Sequence, residues 1–203
     1  RRPANPDVAV SSVFPKALLV ELPFPRTAPE VSVILGKYLS DQRRAVHSVF
    51  VLDISGSMDG ERFEALKNSL RRLAGDDTSL SGQAATFQKR EQVTVVTFSG
   101  TVSAPETLLI QSASERQTFR DRVDALKLGN GTAIYDGLNA AYTYLAKTVP
   151  LEPDKSHSVV LMTDGENNAG DNLAAFEAKF AALPIAAKSV KLFPILFGEA
   201  NNG

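Results

Sequence analysis

The sequence predicts an α/β fold: a doubly wound, mostly parallel sheet with one antiparallel edge strand and helices on both faces. Three observations predict it. Short apolar runs rich in β-branched residues recur, among them "VHSVFVLD" (46–53), "EQVTVVTF" (91–98) and "SVVLMTD" (158–164), and such runs suit strands buried on both faces of a parallel sheet. Between them lie stretches whose apolar residues fall three or four positions apart, the helical period. The two kinds of segment alternate almost throughout, the pattern of a sheet covered by helices on either side.

The elements follow in order. Residues 1–29 carry six of the eleven prolines. Each proline removes a backbone donor and restricts its predecessor, so "ELPFPRTAPE" reads as an extended strap. Thr27 and Glu30 form a capping-box pattern. Val31, Ile34, Leu35, Tyr38 and Leu39 then mark an amphipathic helix over about 28–44. We take 1–44 as an appendage and 45–203 as the main domain. After the strand at 46–53, Phe63, Leu66, Leu70 and Leu73 define a helix that Gly75 ends, and 76–88 reads as a polar loop. "EQVTVVTF" and "VSAPETLLI" flank "SGT" as a hairpin, with Pro105 making the second arm an edge. Ser112 and Glu115 form a second capping box, opening a helix through Phe119, Val123 and Leu126 that stops at Gly129. "GNGT" is a tight loop. Ile134, Leu138, Ala141 and Leu145 mark the next helix, which the strand at 158–164 follows. Leu173, Phe176 and Phe180 mark a helix closed by Pro184, and "VKLFPILFG" is the last strand. Pro194 inside it is out of place in a central strand and predicts an edge or a bulge.

Bulk composition excludes several classes. Lys+Arg is 22 against Asp+Glu 23, and no basic block stands out, which argues against a nucleic-acid or membrane-surface partner. No run of about 18 apolar residues occurs, so no segment is expected to insert in a bilayer. The absence of cysteine removes thiolate metal sites, disulfides and cysteine nucleophiles, without deciding the compartment. The chain opens with "RRPANPDV", and we expect it to be a piece of a longer polypeptide.

In such sheets ligands sit at the carboxyl ends of strands where strand order reverses. Two strands end there in aspartate, Asp53 and Asp164, and the "GNGT" loop lies between them in sequence. Three loops therefore have the means to bring Asp53, Ser55, Ser57, Thr132 and Asp164 together. All five are hard oxygen donors of short reach, which suit Mg²⁺, Mn²⁺ or Ca²⁺ and not zinc or copper. The alternation in "DISGS" lets one turn aim several side chains at a point, with Gly56 easing the bend. The same residues also suit an ordinary turn and helix caps. Asp59 and Asp136 lie near the pattern as outer-shell or solvated surface groups, and Glu166, Asn167 and Asn168 read as a polar rim loop.

"DISGS" resembles the Asp-x-Ser-x-Ser motif of von Willebrand factor type A (VWA) domains, the metal-ion-dependent adhesion site. Thr132 in "GNGTAIYDGL" matches the family's second-loop threonine, and Asp164 in "LMTDGENN" its third-loop aspartate. The resemblance covers roughly 45–200 and implies a Rossmann-like VWA fold. The strap, helix and "VFVLDISGSM" together are similar to bacterial proteins in which such a domain follows a solute-binding-like domain. The resemblance implies that the serines and threonine bind the ion directly and the aspartates directly or through water, with one position left for a partner's carboxylate. Two carboxylates only neutralise a divalent ion, so modest affinity is expected, and Mg²⁺ suits so watery a site better than Ca²⁺. Family members usually continue into a further helix and strand, so this chain is expected to be C-terminally truncated.

Other chemistries fit poorly. A calcium loop counted from Asp53 has Met58 where the sharp turn needs glycine, and a strand leads into it. A serine hydrolase needs a histidine near the serine. His47 and His157 open their strands instead, about 20 Å from Ser55 or Asp164 at about 3.3 Å per residue, and read as structural or surface groups. "GNGTAI" follows a helix and lacks the third glycine of a dinucleotide loop, and no P-loop lysine motif appears. The sequence therefore reads as a binding module, not an enzyme. Its Mg²⁺ would capture an acidic residue on a protein partner or on a neighbouring domain of the parent chain. The alternative is a regulatory subunit of an ATP-driven, chelatase-type remodelling complex. The resemblance points to an extracytoplasmic or cell-envelope setting.

Overall fold

The computed structural model describes residues 43–198 and, before them, positions 30, 33, 34 and 36–38. The chain divides into two units, Arg1–Leu35 and Gly36–Gly203. The proline-rich strap lies outside the described residues. Of the helix expected over 28–44, the described positions 30, 33, 34 and 36–38 are helical, and Arg43 already lies beyond the helix.

Five strands form one sheet: β1 (Val46–Asp53), β2 (Gln92–Phe98), β3 (Glu106–Leu109), β4 (Ser156–Thr163) and β5 (Lys191–Leu196). Their order is β3-β2-β1-β4-β5, all parallel except β3, which runs antiparallel to β2 at one edge. The helices are α1 (Glu61–Arg71), α2 (Leu80–Ala85), α3 (Ala113–Asp124), α4 (Ile134–Thr148), α5 (Leu173–Ala181) and α6 (Ile185–Lys188).

The run "VFVL" in β1 explains the two-sided core. Side chains alternate faces along a strand, so Phe50 and Leu52 join Phe63, Leu66 and Leu70 of α1 and Phe119 and Val123 of α3. Val49 and Val51 go the other way, against Leu138, Ala141, Tyr142 and Leu145 of α4. Gly137 lets α4 approach closely, because a Cβ there would stand 3.0 Å from Phe98 Cδ1 and 3.1 Å from Val51 Cγ1.

Helix boundaries follow the expected chemistry where the signal is local. The Ser112–Glu115 capping box is formed in full. Gly75 sits at φ +104° just past α1, a left-handed conformation in which glycine carries no Cβ penalty. The polar stretch 76–88 is not all loop. Ser79 accepts from Gly82 N and starts the short helix α2, a capping signal that lacks an apolar stripe to advertise it. The hairpin turn is also longer than "SGT": Val95 pairs with Glu106, and the chain between the arms includes a bridge from Phe98 to Val102. Pro105 falls just outside β3. α6 was not expected. Pro194 lies in β5, which ends the sheet, and an edge strand needs donors on one side only. Among the described residues no helix is long and apolar enough to cross a membrane.

The amino ends of β1 and β4 carry a polar cluster. His47 is fully buried (0%) and bonds Glu152 Oε2 through Nδ1 at 2.7 Å. Burial pushes the imidazole below its ordinary 6.5, against the pull of Glu152. Burial also works to raise the Glu152 carboxyl, but hydrogen bonds from Lys155, His47 and His157 outweigh it and hold it at about 2. Both shifts have the same consequence for stability. Below about 6.5 the unfolded chain takes up a proton at His47 that the folded chain refuses. Glu152 adds a contribution present above about 4.5 that is lost as pH falls towards about 2. In chelator-containing buffer the urea midpoint is therefore expected to fall between pH 7 and pH 5, with a flatter profile in His47→Asn. A midpoint independent of pH in the native chain would contradict this account.

Candidate metal centre

β1 lies between β2 and β4, and the chain crosses from one side of it to the other, so strand order reverses at β1 and β4. The loops that follow these two strands open at the carboxyl edge, where a crevice is expected. Leu52 pairs with Met162, which sets Asp53 beside Thr163.

The chain leaves β1 through a single 3₁₀ turn, Gly56–Met58. Met58 is fully buried (0%) and anchors the turn, while Ser57 is exposed at its tip. Asp53 is buried (0%) and accepts from Ser55 N at 2.8 Å and from Thr163 Oγ1. Both are neutral donors. A carboxylate buried behind neutral donors is the kind of group that a cation stabilises. Ser55 Oγ lies 2.9 Å from Ser57 Oγ, and Ser57 Oγ donates to Asp164 Oδ1 at 2.9 Å.

The second loop is brought in by the backbone. Gly129 N donates to Ile54 O at 2.7 Å, and Gly100 N to Asn130 O at 2.6 Å. A Cβ on Gly129 would stand 2.6 Å from Ser99 Oγ, so any other residue would push these loops apart. Asn168 grips Thr132 at both backbone groups: Thr132 N donates to Asn168 Oδ1 at 2.8 Å, and Asn168 N donates to Thr132 O at 3.0 Å. Thr132 and Ser57 both flank Gly165, where a Cβ would lie 3.7 Å from Ser57 Oγ and 4.0 Å from Thr132 Cγ2.

Ser55, Ser57 and Asp164 thus form one hydrogen-bonded chain, with Asp53 buried behind it and Thr132 flanking Gly165 as Ser57 does. None of the five caps an α-helix through its side chain. Gly60, at φ +78°, is the N-cap of α1, and Ala133 that of α4, neither with a side-chain cap bond. The donor set matches a small hard cation. The Ser55–Ser57–Asp164 contacts are hydroxyl hydrogen bonds of ordinary length, and their 2.9 Å steps are compatible with neighbouring oxygens of an octahedron with bonds of about 2.0–2.1 Å.

Sequence reasoning missed Arg62. Its Nη1 donates to Asp164 Oδ2 at 2.8 Å and to Ser57 O at 3.2 Å. The Asp164 side chain is only 1% exposed, so this guanidinium is its main charge partner. An arginine in the first turn of a helix has an ordinary surface signature, and only the fold puts it over β4. Arg62 also repels any cation held by Asp164. Arg62→Ala is expected to tighten Mg²⁺ binding roughly tenfold, about 1.4 kcal/mol, measured by calorimetric titration. Unchanged or weaker binding would show that Arg62 does not compete.

The rim residues do more structural work than a solvated loop requires. Asn167 Nδ2 donates to Asp171 O at 2.9 Å. Asp136 is not a solvated surface group: it is half-buried and accepts from Asp171 N at 3.2 Å. Gly170 sits at φ +68°, and a Cβ there would fall 2.0 Å from Asp136 Oδ2. Asp59 is exposed and accepts from Gly60 N at 2.8 Å. Glu166 is exposed.

The sequence profile of the von Willebrand factor type A domain matches residues 49–203. The chain belongs to the VWA domain family. Its sheet, mostly parallel with one antiparallel strand and flanked by helices, is the Rossmann-like VWA architecture. Among curated proteins it is similar to inter-alpha-trypsin inhibitor heavy chain H3 of Homo sapiens, 34% identical over 127 residues. That match covers 61% of this chain and 13% of the relative. Calcium-activated chloride channel regulator 1 of Homo sapiens is 37% identical over 122 residues, 58% of this chain and 12% of the relative. The VWA chain thus matches only about an eighth of these relatives' own length. Among solved structures, a von Willebrand factor type A protein from Catenulispora acidiphila superposes with TM-score 0.53 at 15% identity, covering 76% of this chain and 33% of that one. Proximal thread matrix protein 1 from the mussel byssus gives TM-score 0.50 at 22% identity, covering 76% and 38%. These two likenesses concern the fold. VWA domains commonly serve as adhesion and protein-interaction modules.

Proposed function

We propose that this VWA domain is a divalent-cation-dependent protein-binding module. Asp53, Ser55, Ser57, Thr132 and Asp164 would hold Mg²⁺, with Mn²⁺ or Ca²⁺ as the other hard candidates. The observation that carries the reading is the oxygen chain Ser55–Ser57–Asp164 at 2.9 Å steps, backed by the buried Asp53 carboxylate. A bound ion supplies Lewis acidity toward a carboxylate from outside. The chain's residues supply the rest. Asp53 fixes Ser55 through the backbone and adds negative charge. Ser57 sits at the exposed tip of its turn, so the face toward solvent is free to receive a partner. Asp164 balances the second positive charge. Hydroxyls add no charge, so two carboxylates leave the ion electrophilic enough for an acidic side chain of a protein ligand.

Neither of the two histidines stands near the serines. His47 and His157 are on the amino ends of β1 and β4, about 20 Å away at about 3.3 Å per strand residue. The test is retention of proteins from a native extract on the immobilised domain with Mg²⁺ or with EDTA. Partners held by the native domain with Mg²⁺, and lost with EDTA and with Ser57→Ala, support the reading. Retention indifferent to both would overturn it.

A further inference from the structure

The opposite end of the same sheet carries a second constellation, with a different chemistry. His47 and His157 are register partners on the neighbouring parallel strands β1 and β4, so their side chains share a face. Glu152 comes from the turn after α4 and reaches both. His47 Nδ1 lies 2.7 Å and His157 Nε2 3.1 Å from Glu152 Oε2. The three candidate ligand atoms all fall within 4.8 Å of one another. His47 is closed off from solvent, while the side chains of His157 and Glu152 are 6% and 14% exposed, which leaves a way in from their side.

We propose that His47, Glu152 and His157 form a transition-metal site of the zinc class, separate from the hard-cation site. Two imidazole nitrogens and one carboxylate oxygen are a ligand set that zinc takes with a fourth position left to water. Ligand atoms around a tetrahedral ion with bonds of about 2.0–2.1 Å stand about 3.3 Å apart, so the present 2.7 and 3.1 Å contacts need to open by about 0.6 and 0.2 Å, and the two imidazole nitrogens, now within 4.8 Å, to settle at the same spacing.

The surroundings of His47 accommodate a ligand as well as a plain hydrogen-bond partner. Its other nitrogen, Nε2, is 2.7 Å from Thr94 Oγ1. Thr94 Oγ1 is 2.8 Å from Thr107 Oγ1, which is 2.7 Å from the Tyr144 hydroxyl. Each hydroxyl in that chain either donates or accepts. With Nδ1 protonated, His47 donates to Glu152 and accepts from Thr94. With Nδ1 given to a metal, Nε2 carries the proton, donates to Thr94, and the hydroxyls rotate to pass the bond outward. Such a partner on the far nitrogen fixes tautomer and ring orientation in metal-binding histidines. Lys155 Nζ donates to Glu152 Oε1 at 2.8 Å, occupying the oxygen that the histidines do not use, and its charge opposes an ion on Glu152 as that of Arg62 opposes one on Asp164. A bound ion would clamp the starts of β1 and β4 to the turn that follows α4.

The test is Co²⁺ absorption spectroscopy on the full chain with excess Mg²⁺ present to fill the hard site. The expected result is one equivalent of Co²⁺ with the intense visible bands of a four-coordinate ion, displaced by Zn²⁺. His157→Gln and Glu152→Gln should each weaken binding at least about tenfold, Thr94→Val about 10–100-fold, and Asp164→Ala should leave it unchanged. Circular dichroism in EDTA identifies variants that remain folded, and only those are compared. Absence of a four-coordinate spectrum in the native chain overturns the proposal, as does full binding in folded His157→Gln and Glu152→Gln. Loss with Asp164→Ala would place the ion at the hard site and overturn it too.

Discussion

Asp53→Asn is expected to weaken Mg²⁺ binding at least about 100-fold, on the order of 3 kcal/mol, while the fold survives. The substitution is nearly isosteric. The remaining carbonyl oxygen still accepts from Ser55 N, and the new amide faces Thr163 Oγ1, which is able to accept. What disappears is one negative charge in a fully buried position. In water two unit charges about 4 Å apart interact by about 1 kcal/mol, and several-fold more at an effective dielectric near 20. A divalent ion doubles the effect, to between about 2 and about 8 kcal/mol, and a hundredfold loss lies towards the weak end of that range. Without metal the same change removes a buried charge with neutral partners only, so the melting temperature in EDTA should not drop. Calorimetric titration and a thermal melt on one preparation read both quantities. A variant that titrates with Mg²⁺ like the native chain would remove Asp53 from the site.

Phe98→Ala is expected to be among the most damaging core changes, at about 3–5 kcal/mol. Phe98 is fully buried (0%) and lies among Val51, Val96, Leu138 and Ala141. Its neighbour Gly137 has no Cβ with which to fill the space left behind. Against a total stability of about 5–15 kcal/mol, that is a large fraction. The site should feel it, because Phe98 O accepts from Ile54 N at 2.8 Å, holding the first residue of the "ISGS" turn. Urea denaturation reads the cost, and Phe98→Leu, which leaves less empty volume, should lose less. A loss below about 1 kcal/mol for the alanine variant would mean that α4 collapses onto the sheet.

Much of the fold was legible. β1 begins and ends where the apolar run does, and the Ser112–Glu115 cap is formed as its residues require. Those signals are local: burial on two faces demands a continuous run, and a cap is made within four residues. The helix α2 and the long β2–β3 turn were not legible, because each depends on a few polar contacts that leave no periodic trace. At the site, the oxygen-bearing residues were named from their spacing. Arg62 and the Asn168 grip on Thr132 were not, since arginine and asparagine suit a solvated surface equally well.

The sequence by itself determined which residues form strands and which faces of the helices are apolar, and it supplied hard oxygen donors at two strand ends. Those properties depend on neighbours a few positions apart. Tertiary structure alone decided that Ser57 meets Asp164 across 107 intervening bonds of sequence, that Arg62 sits on the same carboxylate, and that His47, Glu152 and His157 share one corner. Strand order sets those meetings. Parallel strands put their starts at one end and their finishes at the other, so such a sheet gathers distant loops into two separate clusters.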